Sequence, residues 1–326
     1  MLINQPHMKK VTRIAIFAAI AIAASSCMGG KYMATYALNF EPHGVADIER
    51  TRHKADSLLP GSTKWYDDLK AAGTLKDLYV ESKLNGNKIH ACYVPAKDPA
   101  TSNGTAVVVH GYGDNHYVFL YLVRMYRDNL NYNVIFPDLQ YHGYSEGDHC
   151  QMGWFDRFDV EQWAEIAHDI FKDDFTVLHG VSMGGATVMM ASGDELPPYI
   201  KAVVEDCGYS SVVSQFYGNL RDTFPWLPAD ILQSASLVTK VKHGWSFFEA
   251  SSTDQLKKST IPVLFIHGDA DDFVPIKHLY KNYKAKKKGY KEMWVVPGAV
   301  HANSYAKYPK EYEAHVKNFL DMVKSM

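Results

Sequence analysis

Cysteine is scarce in this sequence, and its spacing excludes two common kinds of site. The chain has four cysteines among 326 residues, and no two of them stand in C-x-x-C spacing. We therefore expect neither a zinc site nor a disulfide framework. Apart from Cys27, which is treated below, at most one pair among Cys92, Cys150 and Cys207 can form a disulfide, and the sequence leaves that pairing open.

Charge of either sign is not in excess. The chain carries 34 Lys and Arg against 36 Asp and Glu, and no basic stripe is interleaved with aromatic residues. Nucleic acid is therefore not an expected partner. By contrast, hydrophobic residues make up 47% of the chain, which is enough to bury a large core in one domain or in one domain with an insertion.

A long hydrophobic run is also absent, but a short one stands near the start. Lys9, Lys10 and Arg13 precede an uncharged run at 14–24. This run is too short for a stable membrane-spanning helix and is typical of a secretory signal. We therefore predict a signal peptide over residues 1–26 and an exported protein.

The residues before Cys27 resemble a bacterial lipobox, because small side chains lead directly into that cysteine, although position 24 is Ala rather than Leu. The resemblance implies that Cys27 becomes the lipidated first residue of the mature chain and anchors it to a membrane of the bacterial cell envelope. Met28 to Gly30 would then be a short tether, within an N-terminal tether and helical segment over 27–76. The alternative is a soluble exported protein that loses Cys27 with its signal.

The most informative motif is G-x-S-x-G at 180–184. An apolar run at 176–178 predicts a buried strand before it, and a second apolar run at 186–191 predicts a helix after it. A strand, a sharp turn and a helix would expose Ser182 Oγ at the strand end, with the first helical N–H groups facing a developing oxyanion. The alternative is a Gly-rich turn with an idle serine, because the pentapeptide alone is not specific.

Buried strands alternate with amphipathic helices from residue 106 onward. Five apolar runs predict strands that are buried on both faces: 106–109, 134–136, 202–204, 263–266 and 293–296. This pattern indicates an α/β protein with a mostly parallel central sheet covered by helices on both faces. Before it, Asn85-Gly86 predicts a tight hairpin at the edge of the sheet. In such sheets the chemistry gathers at the carboxyl ends of the strands.

Two polar loops at predicted strand ends offer partners for Ser182. His301 follows the last strand, and Asp271 lies in the loop after the strand before it. A serine hydroxyl needs a base to accept its proton, and the base needs a carboxylate to orient it. The alternative carboxylates are Asp269, Asp272 and Asp206. The histidines expected to be structural instead are His110, His179 and His267.

The chain order of Ser182, Asp271 and His301, together with the strand pattern, resembles the α/β-hydrolase superfamily over roughly Leu78 to the C-terminus. The likeness is greatest to its serine esterase and serine aminopeptidase-like branches. It implies an α/β-hydrolase fold in which Ser182 is the nucleophile, His301 the general base and then acid, and Asp271 the orienting carboxylate.

The same resemblance implies two backbone N–H donors for an oxyanion, those of Tyr112 and Met183, and neither a metal nor an organic cofactor. It places the hydrolase domain at 77–326. Within that domain the strand and helix alternation lapses between about 208 and 256, and we interpret this aromatic-rich stretch as a helical cap insertion over the site. Its aromatic residues could equally form a small core of the cap itself.

The expected function is hydrolysis of small-molecule carboxylic esters by an exported serine hydrolase. A serine aminopeptidase acting on short peptides is the alternative. It would need a cap carboxylate for the substrate ammonium group, for which Glu249 and Asp222 are available. A non-catalytic binding protein of the envelope is disfavoured because all three triad candidates are present.

Overall fold

A computed structural model describes residues 28–223 and 225–326. Its central element is an eight-stranded sheet with the order β1-β2-β4-β3-β5-β6-β7-β8. β1 and β2 form an antiparallel hairpin at one edge, β2 is antiparallel to β4, and the remaining neighbours are parallel. The strands are β1 (Lys76–Glu81), β2 (Lys88–Val94), β3 (Thr105–Val109), β4 (Asn133–Asp138), β5 (Thr176–Val181), β6 (Ile200–Asp206), β7 (Val263–Gly268) and β8 (Lys291–Val296).

Helices precede the sheet, connect its strands and follow it. They are α1 (28–38), α2 (Ile48–Leu58), α3 (Ser62–Ala71), α4 (Leu120–Arg124), α5 (Asp156–Phe171), α6 (Met183–Ala191), α7 (Val212–Thr223), α8 (Ile231–His243), α9 (Ser252–Leu256), α10 (Lys277–Ala285), α11 (Ser304–Lys307) and α12 (Pro309–Lys324). The cap predicted at 208–256 contains α7, α8 and α9, between β6 and β7.

Both faces of the sheet are buried at its centre. The edge strand β8 is partly exposed, so the prediction that 293–296 is buried on both faces is wrong, because an edge strand has a neighbour on one side only. Along β3, Val107 and Val109 belong to one hydrophobic core, whereas Ala106 and Val108 belong to the other, because successive side chains of a strand point to opposite faces. Residues of α5, α6 and α10 pack into the first core, and residues of α3, α4 and α12 into the second. The predicted mostly parallel sheet with helices on both faces is confirmed.

The N-terminal segment packs onto the sheet domain. Residues 28–38 are helical, in contrast to the tether that the sequence predicts at Met28 to Gly30. A Cβ atom at Gly30 would stand 2.7 Å from the backbone of Ser234 in α8, so only glycine allows this contact between α1 and the cap. Tyr66 and Leu75 are buried in the second core. The segment 28–76 is therefore part of the packed domain.

The cysteine and membrane questions have partial answers. Cys92, Cys150 and Cys207 are buried free thiols, so the disulfide that the sequence left open does not form among them. None of the helices within 28–223 and 225–326 is both long enough and apolar enough to cross a membrane. Cys27 and the predicted signal peptide lie outside the described residues, and both stay predictions.

Candidate active site

Ser182 stands on a strained turn between β5 and α6. Its φ of 59° is in a region that residues other than glycine rarely adopt. The turn requires glycine on both sides, because a Cβ atom at Gly180 would stand 2.1 Å from Gly184 O and one at Gly184 would stand 2.1 Å from Val109 O. The Ser182 N–H donates to Asp206 O at 2.8 Å, which fixes the turn against β6. This is the strand, turn and helix that the motif predicts.

The structure brings the three predicted triad residues together. The Ser182 hydroxyl is 2.9 Å from His301 Nε2, and His301 Nδ1 is 2.8 Å from Asp271 Oδ2. Both contacts are satisfied at once when the Nδ1–H donates to the carboxylate and Nε2 accepts from the hydroxyl. In this tautomer the imidazole is oriented to receive the serine proton.

Asp271 is held as an ionised acceptor. Its Oδ1 accepts the N–H groups of Phe273 and Val274 at 3.0 and 2.8 Å, while its Oδ2 faces His301 and, at 3.4 Å, His267 Nε2. Burial alone would raise the pKa of this carboxyl, but the hydrogen bonds to His267 and His301 outweigh it and hold the pKa well below its usual range. Asp271 is therefore charged throughout the ordinary pH range.

The alternative carboxylates make other contacts. Asp269 Oδ1 accepts from the Gly298 N–H at 2.5 Å, and Asp206 accepts from the Ser304 hydroxyl at 3.1 Å. Burial raises the pKa of Asp206 to about 6. Asp272 is exposed and borders the cavity described below. Of the four candidates, Asp271 alone makes a hydrogen bond with the His301 ring within the described residues.

The loop that carries Tyr112 runs directly beside the serine. A Cβ atom at Gly111 would stand 3.3 Å from Ser182 Cβ, and His110 holds the loop by donating from Nδ1 to Gly111 O at 2.8 Å and accepting the Leu139 N–H at Nε2 at 2.9 Å. Met183 opens α6, so its N–H has no acceptor within the helix. For the Tyr112 N–H no acceptor occurs in the described part of the chain. Two such free donors are what an oxyanion site requires.

The histidines predicted to be structural are bonded to their own surroundings. His267 Nε2 is 2.7 Å from Val274 O, in the loop that carries Asp271. His179 lies between the hydroxyls of Tyr126 and Tyr312, at 2.9 and 3.0 Å, and burial lowers its pKa to about 3. Neither ring is hydrogen-bonded to Ser182.

Ser182 opens into a cavity of about 500 Å³. The cap contributes Phe216 and Phe247, whose rings pack in a T-shape with centroids 4.9 Å apart. Phe247 also contacts the fully buried Trp245, with centroids 5.7 Å apart. The two interpretations of the cap aromatics are thus both partly correct, because some rings form a core of the cap and some of the same rings face the site.

The N-terminal segment, helix α1 and the residues just after it, supplies a wall of this cavity that sequence reasoning missed. Met33 and Phe40 line it, and Phe40 packs on Tyr112 with ring centroids 4.8 Å apart. In the sequence these residues are far from every catalytic motif, so no local spacing connects them to the site. The one pattern that could have indicated this wall is the set of apolar and aromatic residues repeated through 32–40, because such a face is expected to pack against another part of the protein.

Comparisons with known proteins identify the fold. A family model described as the alpha/beta hydrolase fold matches residues 106–240. An esterase of Pyrococcus furiosus superposes with a TM-score of 0.60 at 20% identity, over 78% of this chain and 93% of that one. The chain has the α/β-hydrolase fold.

Two further proteins are similar to the chain. An acylaminoacyl peptidase of Pyrococcus horikoshii superposes with a TM-score of 0.56 at 15% identity, over 78% of this chain and 42% of that one. The uncharacterized protein YqkD of Bacillus subtilis is 27% identical over 224 residues, which cover 68% of this chain and 73% of that protein. In this α/β-hydrolase fold Ser182, Asp271 and His301 follow β5, β7 and β8. These strands are parallel, so all three residues lie at the carboxyl ends of the strands.

Proposed function

We propose that this protein is a serine hydrolase that cleaves carboxylic esters through an acyl-enzyme intermediate. The observation that carries the proposal is the continuous hydrogen-bonded chain from Asp271 through His301 to Ser182, with both links under 3 Å. A buried carboxylate, an oriented imidazole and a hydroxyl on a strained turn are the parts that activate a serine nucleophile.

In the proposed reaction, His301 Nε2 accepts the Ser182 proton as the hydroxyl oxygen bonds to the ester carbonyl carbon. The imidazolium that forms is stabilised by ionised Asp271, and it then donates the proton to the leaving alcohol. The N–H groups of Tyr112 and Met183 would bind the oxyanion of the tetrahedral intermediate. Water then attacks the acyl-enzyme carbonyl as His301 Nε2 accepts a proton from it. The bond between the acyl carbon and Ser182 Oγ breaks, the carboxylic acid leaves, and the proton passes from His301 to Oγ.

The cavity favours an ester with an apolar acyl group. Its wall combines Met33 and Phe40 from the N-terminal segment with Phe216, Leu220 and Phe247 from the cap stretch. A volume of about 500 Å³ is in the range of sites that bury a small organic molecule. Burial of an apolar acyl chain there would supply binding free energy and exclude water from the reacting carbonyl.

An aminopeptidase is the second candidate, and two carboxylates on the cavity wall favour it. Asp222 belongs to α7 of the cap, and Asp272 belongs to the loop that carries Asp271. Either could bind a substrate ammonium group. Glu249, the other cap carboxylate considered from the sequence, instead forms an ion pair with Lys240 at 2.7 Å. The peptidase hypothesis therefore rests on Asp222 and Asp272.

The test compares Ser182→Ala with a matched control on graded nitrophenyl esters and aminoacyl nitroanilides. The control is Ser210→Ala, because Ser210 is a second buried serine that contacts a histidine, with its Oγ 2.9 Å from His278 Nδ1, but it does not line the cavity. We expect Ser182→Ala to lose about 10⁶-fold in kcat on esters and Ser210→Ala to retain turnover.

A fluorophosphonate probe separates the remaining outcomes. Labelling that disappears in Ser182→Ala, with a preference for esters, supports the esterase proposal, and a preference for the anilides supports the peptidase. If wild-type protein is not labelled and hydrolyses neither the esters nor the anilides, the hydrolase proposal is wrong and the binding-protein hypothesis takes its place.

We also propose export and a lipid anchor at Cys27, on the sequence pattern alone. Expression of the full chain and of Cys27→Ser, followed by detergent phase separation and mass spectrometry of the N-terminus, tests this. An acylated N-terminal Cys27 and detergent partitioning in the wild type only are expected. An aqueous, unacylated wild-type protein would contradict the anchor.

A further inference from the structure

A second group of chemically reactive side chains lies on the β1–β2 hairpin. The register pairs Asp77 with Cys92, and His90 is on the same face of β2 as Cys92, because side chains two apart in a strand point the same way. His90 and Cys92 are fully buried, whereas the Asp77 side chain is 31% exposed. Solvent therefore reaches this group only at the Asp77 carboxylate.

The three heteroatoms are spaced as ligands of one metal ion. Asp77 Oδ1 is 3.3 Å from His90 Nε2 and 3.5 Å from Cys92 Sγ, and His90 Nε2 is 3.8 Å from Cys92 Sγ. Around a tetrahedral Zn²⁺ with ordinary bond lengths, the O to N edge is about 3.4 Å and each edge to sulfur is about 3.6 Å. The observed triangle differs from that one by a few tenths of an ångström at most.

The orientation of His90 also suits a metal. Its Nδ1 is 2.8 Å from Asp138 Oδ2, and both residues are fully buried. With the Nδ1–H donated to Asp138, the Nε2 lone pair points at Asp77 Oδ1, so two acceptors face each other and a cation between them satisfies both. A carboxylate that orients the far nitrogen of a ligating histidine is the usual support of a zinc site.

Lys70 is the competing cation, and it contacts both oxygens of Asp77. Its Nζ is 3.0 Å from Asp77 Oδ1, 2.9 Å from Asp77 Oδ2 and 3.3 Å from the Tyr66 hydroxyl. Oδ2 can keep the lysine while Oδ1 binds the metal. Lys70 then neutralises one oxygen of Asp77, and the other oxygen is available as a ligand together with His90 and Cys92.

We infer that Asp77, His90 and Cys92 form a zinc site, with water as the fourth ligand on the exposed side of Asp77. Binding removes the S–H proton of Cys92 to solvent, so the sulfur coordinates as a thiolate and no electron is transferred. The inference departs from the expectation drawn from cysteine spacing, because the ligands come from two paired strands.

The site would also brace the loop beside Ser182. Asp138 accepts the His116 N–H at 2.9 Å and is 2.8 Å from His116 Nδ1, while it holds His90 through its other oxygen. His116 belongs to the segment that follows Tyr112. A metal on His90 therefore fixes the carboxylate that fixes this segment.

The test adds Zn²⁺ or Co²⁺ to chelator-treated protein. We expect one equivalent of Zn²⁺ by elemental analysis after gel filtration, a rise in Tm, and with Co²⁺ a thiolate charge-transfer band in the near ultraviolet with the visible bands of a tetrahedral ion. Cys92→Ser should lose the charge-transfer band. Cys150→Ser is the matched control that should keep it, because Cys150 is a buried thiol that contacts the sulfurs of Met152 and Met183.

A second variant keeps the inference testable if Cys92→Ser does not fold. Asp77→Asn alters a partly exposed ligand, and we expect it to weaken Zn²⁺ affinity at least about tenfold. Wild-type protein that shows no stoichiometric Zn²⁺, no cobalt band and no shift in Tm overturns the inference. So does a cobalt band that persists in Cys92→Ser or an affinity unchanged in Asp77→Asn.

Discussion

Two aspartate and histidine pairs occur in this fold, and they differ in what the outer nitrogen of the histidine faces. Asp271 follows β7 and lies 2.8 Å from His301 Nδ1, and Asp138 ends β4 and lies 2.8 Å from His90 Nδ1. His301 Nε2 faces a hydroxyl and a cavity, and its side chain is 20% exposed. His90 is wholly buried and its Nε2 faces Asp77 and Cys92.

The difference teaches that the pair itself does not define a function. In both pairs burial alone would raise the pKa of the carboxyl, and the neighbouring histidines outweigh it and lower the pKa. A third buried aspartate, Asp156, has the opposite sign, because burial raises its pKa to about 8. Its hydrogen-bond donor is the backbone N–H of Gly153, at 2.7 Å, and a histidine is not among its partners in the described chain. We therefore propose that the group at the far nitrogen decides between nucleophile activation and metal binding.

The largest expected effect is that of His301→Ala. Without the imidazole the Ser182 proton has no acceptor, so kcat on the best ester should fall about 10⁶-fold, while the free energy of unfolding changes little because the side chain is partly exposed. The measurement is the initial rate at saturating substrate. Because serine and histidine act as one unit, the double variant with Ser182→Ala should be no slower than either single variant.

The control for that comparison is His315→Ala. His315 stacks on Trp294 with ring centroids 4.3 Å apart, in α12, and is not part of the candidate site. Wild-type turnover is expected. If His301→Ala retained the same turnover as His315→Ala, His301 would not be the catalytic base.

Asp271→Asn should have the next largest effect. An amide cannot hold the same tautomer of His301 or stabilise its charged form, so kcat should fall about 10⁴-fold with the fold retained. Circular dichroism and steady-state kinetics measure the two quantities. Asp269→Asn, in the same loop, should cost less than about tenfold, and a reversed order of the two variants would transfer the orienting role to Asp269.

Asp138→Asn should affect stability more than catalysis. The carboxylate is a buried partner of His90 and His116, so its replacement should lower the free energy of unfolding by about 3–5 kcal/mol. Urea unfolding of chelator-treated protein measures this without a contribution from metal. An unchanged unfolding midpoint would mean that the buried pair is not a stabilising element.

The smallest expected effect is that of Asp156, the buried aspartate without a histidine partner among the described residues. Asp156 is neutral in the folded protein up to about pH 8 and ionised in the unfolded chain above its ordinary pKa, so the folded state holds the extra proton. The free energy of unfolding should therefore decrease as the pH rises towards 8, by about 1–3 kcal/mol between pH 6 and 9.

Asp156→Asn should remove the part of this decrease that Asp156 causes and make the pH slope shallower, as measured by urea unfolding at the two pH values. Burial also raises the pKa of Glu161 and Glu205 to about 8, so both proteins keep their contribution to the slope. Asp169→Asn, an exposed aspartate of the same helix α5, should behave as the wild type. A variant at 156 that retained the wild-type pH slope would show that another group is responsible.

The sequence was sufficient wherever a function depends on short spacing or on strand order. Gly180 and Gly184 indicate the turn because no larger residue fits at either position. His301 and Asp271 could be proposed as partners of Ser182 because each follows a strand. The fold was predicted for the same reason, since runs buried on both faces leave few architectures. The resemblance to the α/β-hydrolase superfamily selected Asp271 over Asp269, and in the structure it is Asp271 that makes a hydrogen bond with His301, whereas Asp269 accepts from Gly298.

What the sequence could not supply depends on contacts between distant segments. The meeting of Gly30 with Ser234 makes α1 a wall of the cavity, and no pattern at either position predicts it. Likewise, Asp77 meets Cys92 only through the register of a hairpin, so a search for cysteine spacing could not detect the pair. Both features arise from tertiary packing.

The position of α1 has a consequence for how a membrane-bound form would work. Met33, on the cavity wall, is one and a half helical turns from residue 28, or roughly 8 Å along the helix axis. With the anchor proposed at Cys27, only a very short stretch of chain would separate the cavity from the membrane. The cavity would therefore stay close to the lipid surface. Amphiphilic esters could then reach it by lateral diffusion in the bilayer, and their concentration in that plane, rather than in water, would set the rate.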